Sequence, residues 1–282
     1  MWLWLAIGSA LLLGFYDVAK KQSLQKNDVM VILASSTALT ALIMSPFLSA
    51  GSLADHLHLI VKATLVSASW VTGLMALKTL PLTTASTIKA SRPVFVLLGS
   101  IFIFGERLNA MQWTGVLSAI LSLWLLSLSN RKEGISYSSN KGLWYIWIAV
   151  ATGVSSALYD KYIMTFLQPA FVQSWTNIYI TLLLVLCILF RKHVMKAEIQ
   201  PFRWDWMLLL IALFITGADY MYFVSLKCDG ALLAVISIIR RCSVIVTFVF
   251  GVFLYKEKNV RTKALDLAIL LAGMVFLVLG SR

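Results

Sequence analysis

Charge is the scarcest property of this sequence. Only 13% of its 282 residues are Asp, Glu, Lys or Arg, against roughly 25% in a soluble domain. Together with 60% hydrophobic residues and a mean hydropathy of +0.87, that shortage argues against a soluble domain and predicts membrane spans. Cysteine is equally sparse. Cys187, Cys228 and Cys242 lie scattered in or beside apolar runs with no Cys-x-x-Cys pair, which argues against a disulfide framework or a metal centre. The histidines His56, His58 and His193 fall in predicted loops or at the edge of a span, and are read as surface residues. No glycine-rich loop ends in Gly-Lys-Ser/Thr, so no P-loop is expected. No cofactor and no metal are expected. The apolar start Met1-Trp2-Leu3-Trp4 has neither a basic leader nor a cleavage site, and is read as the first span.

What charge there is has one sign in excess, with a formal net charge of +12. The charges stand between apolar segments, as anchors at a membrane surface do, so lipid and not nucleic acid is the expected partner. A span needs roughly 20 apolar residues. Ten candidates follow, near 2–19, 29–49, 59–77, 82–104, 110–129, 143–164, 170–190, 206–226, 230–254 and 264–280. The alternation of a β-barrel strand is absent, so the spans are helices. The long connections are 130–142 and 191–205, the first being the candidate linker between halves. Trp113, Trp144, Trp147, Trp204 and Trp206 lie near span ends, as in an aromatic belt.

The halves repeat. At an offset of 143, Trp4 meets Trp147, Ala6 meets Ala149, Tyr16-Asp17 meets Tyr159-Asp160, and Leu24-Gln25 meets Leu167-Gln168. At 149, Leu77-Lys78 meets Leu226-Lys227, Ala85 meets Ala234, and Arg92 meets Arg241. At 151, Phe102 meets Phe253 and Glu106 meets Glu257. Five spans per copy is an odd number, so the second copy enters the membrane inverted, the arrangement of transporters with a site near the midplane. The expected layout is an all-α integral membrane protein with two five-helix repeats, 1–130 and 143–282, joined by a 131–142 loop.

Particular motifs carry a family resemblance. Pro81-Leu82-Thr83-Thr84-Ala85, Pro93-Val94-Phe95, Gly105-Glu106-Arg107-Leu108 and Trp113-Thr114-Gly115 resemble the EamA-type transporters of the drug/metabolite transporter superfamily. Gly14, Val18, Ala19 and Lys21 resemble that family's first-span pattern, with Leu13 where a tryptophan is usual. The second copy keeps Lys256-Glu257 and Gly273 but has Cys242-Ser243 where proline is common. The resemblance implies ten helices, a central cavity and alternating access, and leaves the substrate open.

The charges inside spans point to the chemistry. Lys89, Arg92, Lys161, Arg240 and Arg241 are basic, and an ionised side chain at mid-bilayer costs about 2.5–3.5 kcal/mol on insertion scales. Such groups face a cavity or a partner. Lys89 and Arg92 share a helix face, as do Ser237 and Arg241. Inversion brings both faces to the midplane as a basic cluster suited to a carboxylate or phosphate; the alternative is that these cations only pair with acids and hold the bundle together. Asp219 is the clearest buried acid, expected to pair with Arg241, Arg240 or Lys89. Asp17 and Asp160 either line the cavity or reach headgroups. Lys161 is read as snorkelling to the interface, and Glu106 and Glu257 as helix-end residues. Five bases against these three acids leave a surplus of two, which favours an anionic or zwitterionic substrate. Pro93 kinks its span or shapes its packing. Gln173 and Asn177 share a face and either line the cavity or bond across helices. Trp70, Trp175, Tyr220 and Tyr222 are read as bundle core.

The function these features support is a secondary transporter of a small amino acid, organic acid or phosphorylated compound, in the plasma (inner) membrane of a bacterium. The alternatives are an enzyme acting on a lipid-linked substrate, for which no paired carboxylates or histidines stand at suitable spacing, and a receptor or assembly factor. A coupling ion is left unassigned and a homodimer is left open. Orientation divides two arguments. The loops after odd-numbered spans hold fifteen bases: Lys20, Lys21, Lys26, Lys78, Arg131, Lys132, Lys141, Arg191, Lys192, Lys196, Arg203, Lys256, Lys258, Arg261 and Lys263. The opposite side holds four, Lys62, Arg107, Lys227 and Arg282. The positive-inside rule then places both termini outside, whereas the resemblance implies termini in the cytoplasm.

Overall fold

The computed structural model describes residues 1–23, 28–79, 88, 92–129, 141–194, 196 and 202–243, with 245–246, 249–250, 268–269, 272–273, 275–276 and 278–280 beyond them. Among these residues the chain is helical, with no strand. The helices are α1 (Trp2–Ser23), α2 (Val29–Ile43), α3 (Leu53–Thr79), α4 (Arg92–Phe104), α5 (Ala110–Ser129), α6 (Lys141–Met164), α7 (Pro169–His193), α8 (Trp206–Lys227) and α9 (Leu233–Arg241), with a 3₁₀ turn at Ser45–Phe47. The described residues of 268–280 are helical too. Helix is what a bilayer demands, because each backbone N–H must find its partner within the segment. The starts are written locally. Asp28 accepts from the Met30 amide at 2.9 Å and Asp205 from the Met207 amide at 3.3 Å, both as N-caps. Pro169 opens α7 where a missing N–H costs nothing.

Five helices, α1, α3, α6, α7 and α8, contain apolar segments long enough to cross a membrane, and α2 and α4 are shorter apolar helices. Their outer faces carry large apolar side chains such as Leu42, Phe102, Trp144 and Leu186, which suits lipid and not water. This is a multi-pass membrane protein. The structure starts α3 six residues before the expected span at 59. His56 and His58 therefore lie on a membrane helix, which corrects their reading as surface residues, and Lys62, just inside the expected span, is buried on that helix and is not a loop base.

Helix contacts close a ring. α1 packs on α8, α8 on α2, α2 on α7, α7 on α3, α3 on α6, α6 on α4, α4 on α9, and α9 back on α1. First-half and second-half helices thus alternate around a central space. Buried hydroxyls tie neighbours together, with Ser9 donating to the Ala218 carbonyl at 2.7 Å and Ser69 to the Ala149 carbonyl at 2.7 Å. α5 packs against the described residues of 268–280, where a Cβ on Gly273 would come within 2.9 Å of the Gly115 carbonyl. Asn109, just before α5, donates to the Gly280 carbonyl at 2.6 Å.

Candidate functional site

The ring encloses a cavity of about 400 Å³, lined from α1, α2, α3, α4, α6, α7, α8, α9 and Ser243 just beyond α9. Of the candidate binding residues, Arg92, Arg240, Arg241, Asp219, Ser237, Gln173 and Asn177 all line it. Lys89 lies outside the described residues. Pro93 is buried at the start of α4, next to the undescribed 89–91, so the expected kink is not addressed.

The cations divide by what holds them. Arg240 donates through Nη2 to Asp219 Oδ1 at 2.8 Å, and its guanidinium lies 4.0 Å from the Tyr222 ring centroid. Asp219 therefore has a basic partner, and it is Arg240 of the three candidates. Arg92 donates to the Gly153 carbonyl on α6. That approach needs a glycine, since a Cβ at Gly153 would collide with the guanidinium. Lys20 donates to the Tyr16 hydroxyl at 3.3 Å. The Arg241 guanidinium makes no hydrogen bond or ion pair among the described residues. The charges acting on it are Arg92, Arg240 and Asp17.

The acids divide in the same way. Asp160 is a buried partner of Lys62, whose ammonium also lies 4.7 Å from the Phe223 ring centroid. Asp160 thus lines the cavity and does not reach headgroups. Asp17 also lines it, is exposed there, and has no ion pair among the described residues. Three aromatics need reassignment. Trp70 and Tyr222 line the cavity instead of serving only as core, whereas Tyr220 is 45% exposed on the outside of the bundle.

One end of the bundle is knitted shut. The snorkelling role read for Lys161 is corrected, because Lys161 donates to Glu106 Oε1 at 2.5 Å and to the Ala231 carbonyl at 2.7 Å. Glu106 accepts from the amides of Leu233 at 2.7 Å and Ala234 at 3.2 Å. It is a helix-end residue as expected, but the helix it caps is α9, more than 120 residues away in sequence. At the same end Trp175 donates to the Ser49 carbonyl at 3.0 Å, and Lys227 to the Leu167 carbonyl at 2.9 Å. His56 Nδ1 shares a hydrogen bond with the Tyr179 hydroxyl at 2.9 Å, and His58 Nδ1 with the Tyr159 hydroxyl at 2.5 Å. His56 and Trp175 meet edge-on at 4.6 Å. The sequence offers no spacing signal for these cross-helix contacts; the one signal that could have been read is Lys62, a charge inside an apolar run.

The described helices thus form a multi-pass membrane bundle around a charged cavity. Residues 1–128 match the model of the EamA-like transporter family, the family that the motifs of the first half resemble. Family members are transporters rather than enzymes. No curated protein matches. A solved structure described only as "Crystal structure of protein" is similar, with a TM-score of 0.78 over 98% of this chain and 96% of that one, at 16% identity. That likeness carries the fold alone.

Proposed function

We propose that this chain is a secondary transporter with ten membrane helices in two inverted repeats, 1–130 and 143–282, moving a small anionic metabolite by alternating access across a bacterial inner membrane. The observation that carries the reading is Arg241, a guanidinium in the cavity with no partner among the described residues. A charge held this way at mid-bilayer costs free energy unless a ligand answers it. Counted together, the lining bases Lys20, Lys62, Arg92, Arg240 and Arg241 exceed Asp17, Asp160 and Asp219 by two, so an anion neutralises the site and a cation does not. The helix ring supports the inverted repeat: exchanging α1 with α6, α2 with α7, α3 with α8 and α4 with α9 returns the same neighbours in reverse order. The seal at one end supports alternating access, because a carrier closes one side while binding from the other.

A second reading, a zwitterionic substrate, is favoured by Asp17, which is exposed to the cavity near Arg241 and available to an ammonium group. Counterflow in proteoliposomes with a panel of labelled anions, zwitterions and cations tests both. Accumulation of an anion that Arg241→Ala abolishes supports the first reading. Accumulation of zwitterions only, lost in Asp17→Asn, supports the second. Transport of cations alone, indifferent to Arg241, overturns both.

A further inference from the structure

The cavity has two unlike walls. In the helix ring, α4 and α9 are neighbours, and across the cavity from them stand α2 and α7. The α4–α9 wall presents Arg92, Arg240 and Arg241. The α2–α7 wall presents Ser36, Thr37, Gln173, Thr176 and Asn177, all neutral and all able to donate and accept hydrogen bonds. Not every group there is committed. Gln173 is 1% exposed and Thr176 is 4% exposed. Gln173 gives its amide nitrogen to the Thr216 carbonyl at 2.7 Å, yet its Oε1 has no partner among the described residues. The Thr176 hydroxyl has none among them either. Asn177 donates to the Gln173 carbonyl at 2.8 Å, which leaves its own side-chain oxygen uncommitted.

Buried polar atoms without partners are costly, about 1–3 kcal/mol each, and they belong where a ligand or water completes them. A wall of this kind rejects an alkyl chain, which would leave the same atoms unanswered. Trp70 on α3, beside α7 in the ring, adds an aromatic surface to the lining, and the volume of about 400 Å³ lies at the small end of the range for ligand sites. We propose that the substrate is a hydroxylated anion of monosaccharide size, its acid group on Arg241 and Arg92 and its hydroxyl-bearing end on Gln173, Thr176 and Asn177. The inference rests on the anion-carrier reading and narrows it. The shared chemistry is an acid head and a polyol body, and the head is a carboxylate or a phosphate monoester.

The test is binding to the purified full chain, followed by ligand-induced thermal stabilisation and by competition in proteoliposomes. The probes are paired by head group: gluconate with hexanoate, glucose 6-phosphate with butyl phosphate, and glucose as the neutral control. The expected result is that the hydroxylated member of one pair binds at least ~10-fold more tightly than its alkyl partner, and the pair that shows it identifies the head. Gln173→Leu with Thr176→Val brings the two members of that pair to within about twofold, while Arg241→Gln weakens both. The comparison on the unaltered chain stands even if the double variant fails to fold. Alkyl anions that bind as well as hydroxylated ones, with Arg241 still required, overturn this inference and leave anion transport intact. A preference that survives in a folded double variant overturns the assignment to α7. Glucose binding as tightly as glucose 6-phosphate, or no anion binding at all, overturns the anion-carrier reading itself.

Discussion

Asp160 is held by Lys62, whereas Asp17, which follows a tyrosine 143 residues earlier in the same way, stands in the cavity without an ion pair among the described residues. The two matched carboxylates are thus in different states within one structure. Arg92 and Arg241 show the same inequality, the first bonded to the Gly153 carbonyl and the second without a bond among the described residues. The matched positions are thus held unequally, which is what the proposed pair of inverted repeats working by alternating access requires.

Arg241→Ala is expected to abolish transport while the protein remains folded in the membrane. Arg241→Lys rescues poorly, because an ammonium lacks the planar two-point donor set of a guanidinium. Uptake by proteoliposomes together with helical circular dichroism checks this. Normal uptake by the alanine variant contradicts it.

Lys62→Met is expected to destabilise the protein by about 3–5 kcal/mol, because it leaves Asp160 charged and alone in the bundle. Adding Asp160→Leu restores most of that loss, since a pair of apolar side chains of similar volume replaces a buried ion pair at little cost. Thermal unfolding in detergent of both single variants and the double variant reads the coupling. Single and double losses that simply add are the contrary result.

Asp219→Asn is expected to cost less, near the lower end of the about 1.5–3 kcal/mol typical of bonds to charged groups. Arg240 and Asp219 are 18% and 31% exposed to the cavity, so solvent screens what remains. Unfolding midpoints equal to those of the Lys62→Met variant would refute the ranking.

Orientation is expected to follow the basic residues. With Lys62 buried in α3, its removal from the sparse side only sharpens the asymmetry, so both termini are predicted outside. Single cysteines at Ser138 and Ser281, in a background without the native three, report through an impermeant thiol reagent on intact cells. Reaction at Ser281 and not at Ser138 is the expected pattern, and the reverse places the termini in the cytoplasm.

The sequence made the helices and the cavity cations legible, because apolar length and misplaced charge are local signals. Arg92, Arg240 and Arg241 stand out in apolar runs whatever their neighbours, and all three line the cavity. Lys62 was misplaced because it stands only a turn inside the expected span 59–77 and counts with the flanking bases, at a boundary that hydropathy blurs. In the sequence Lys161 reads as snorkelling and Glu106 as a helix-end residue because both sit at helix ends; their bond joins α6 to the end of α4, and no spacing along one chain encodes a contact between elements brought together by topology. The neutral wall of Gln173 and Thr176 was half visible, as a shared face of Gln173 and Asn177, but its unpartnered atoms appear only once α8 takes the Gln173 nitrogen.

One carboxylate, that of Glu106, holds the Lys161 ammonium and the first amides of α9 together. The ends of α4 and α6 and the start of α9 are thereby fastened at a single rivet. An opening movement at this end either shears that rivet or carries all three helix ends as one lever, with Arg240 and Arg241 at the far end of the arm.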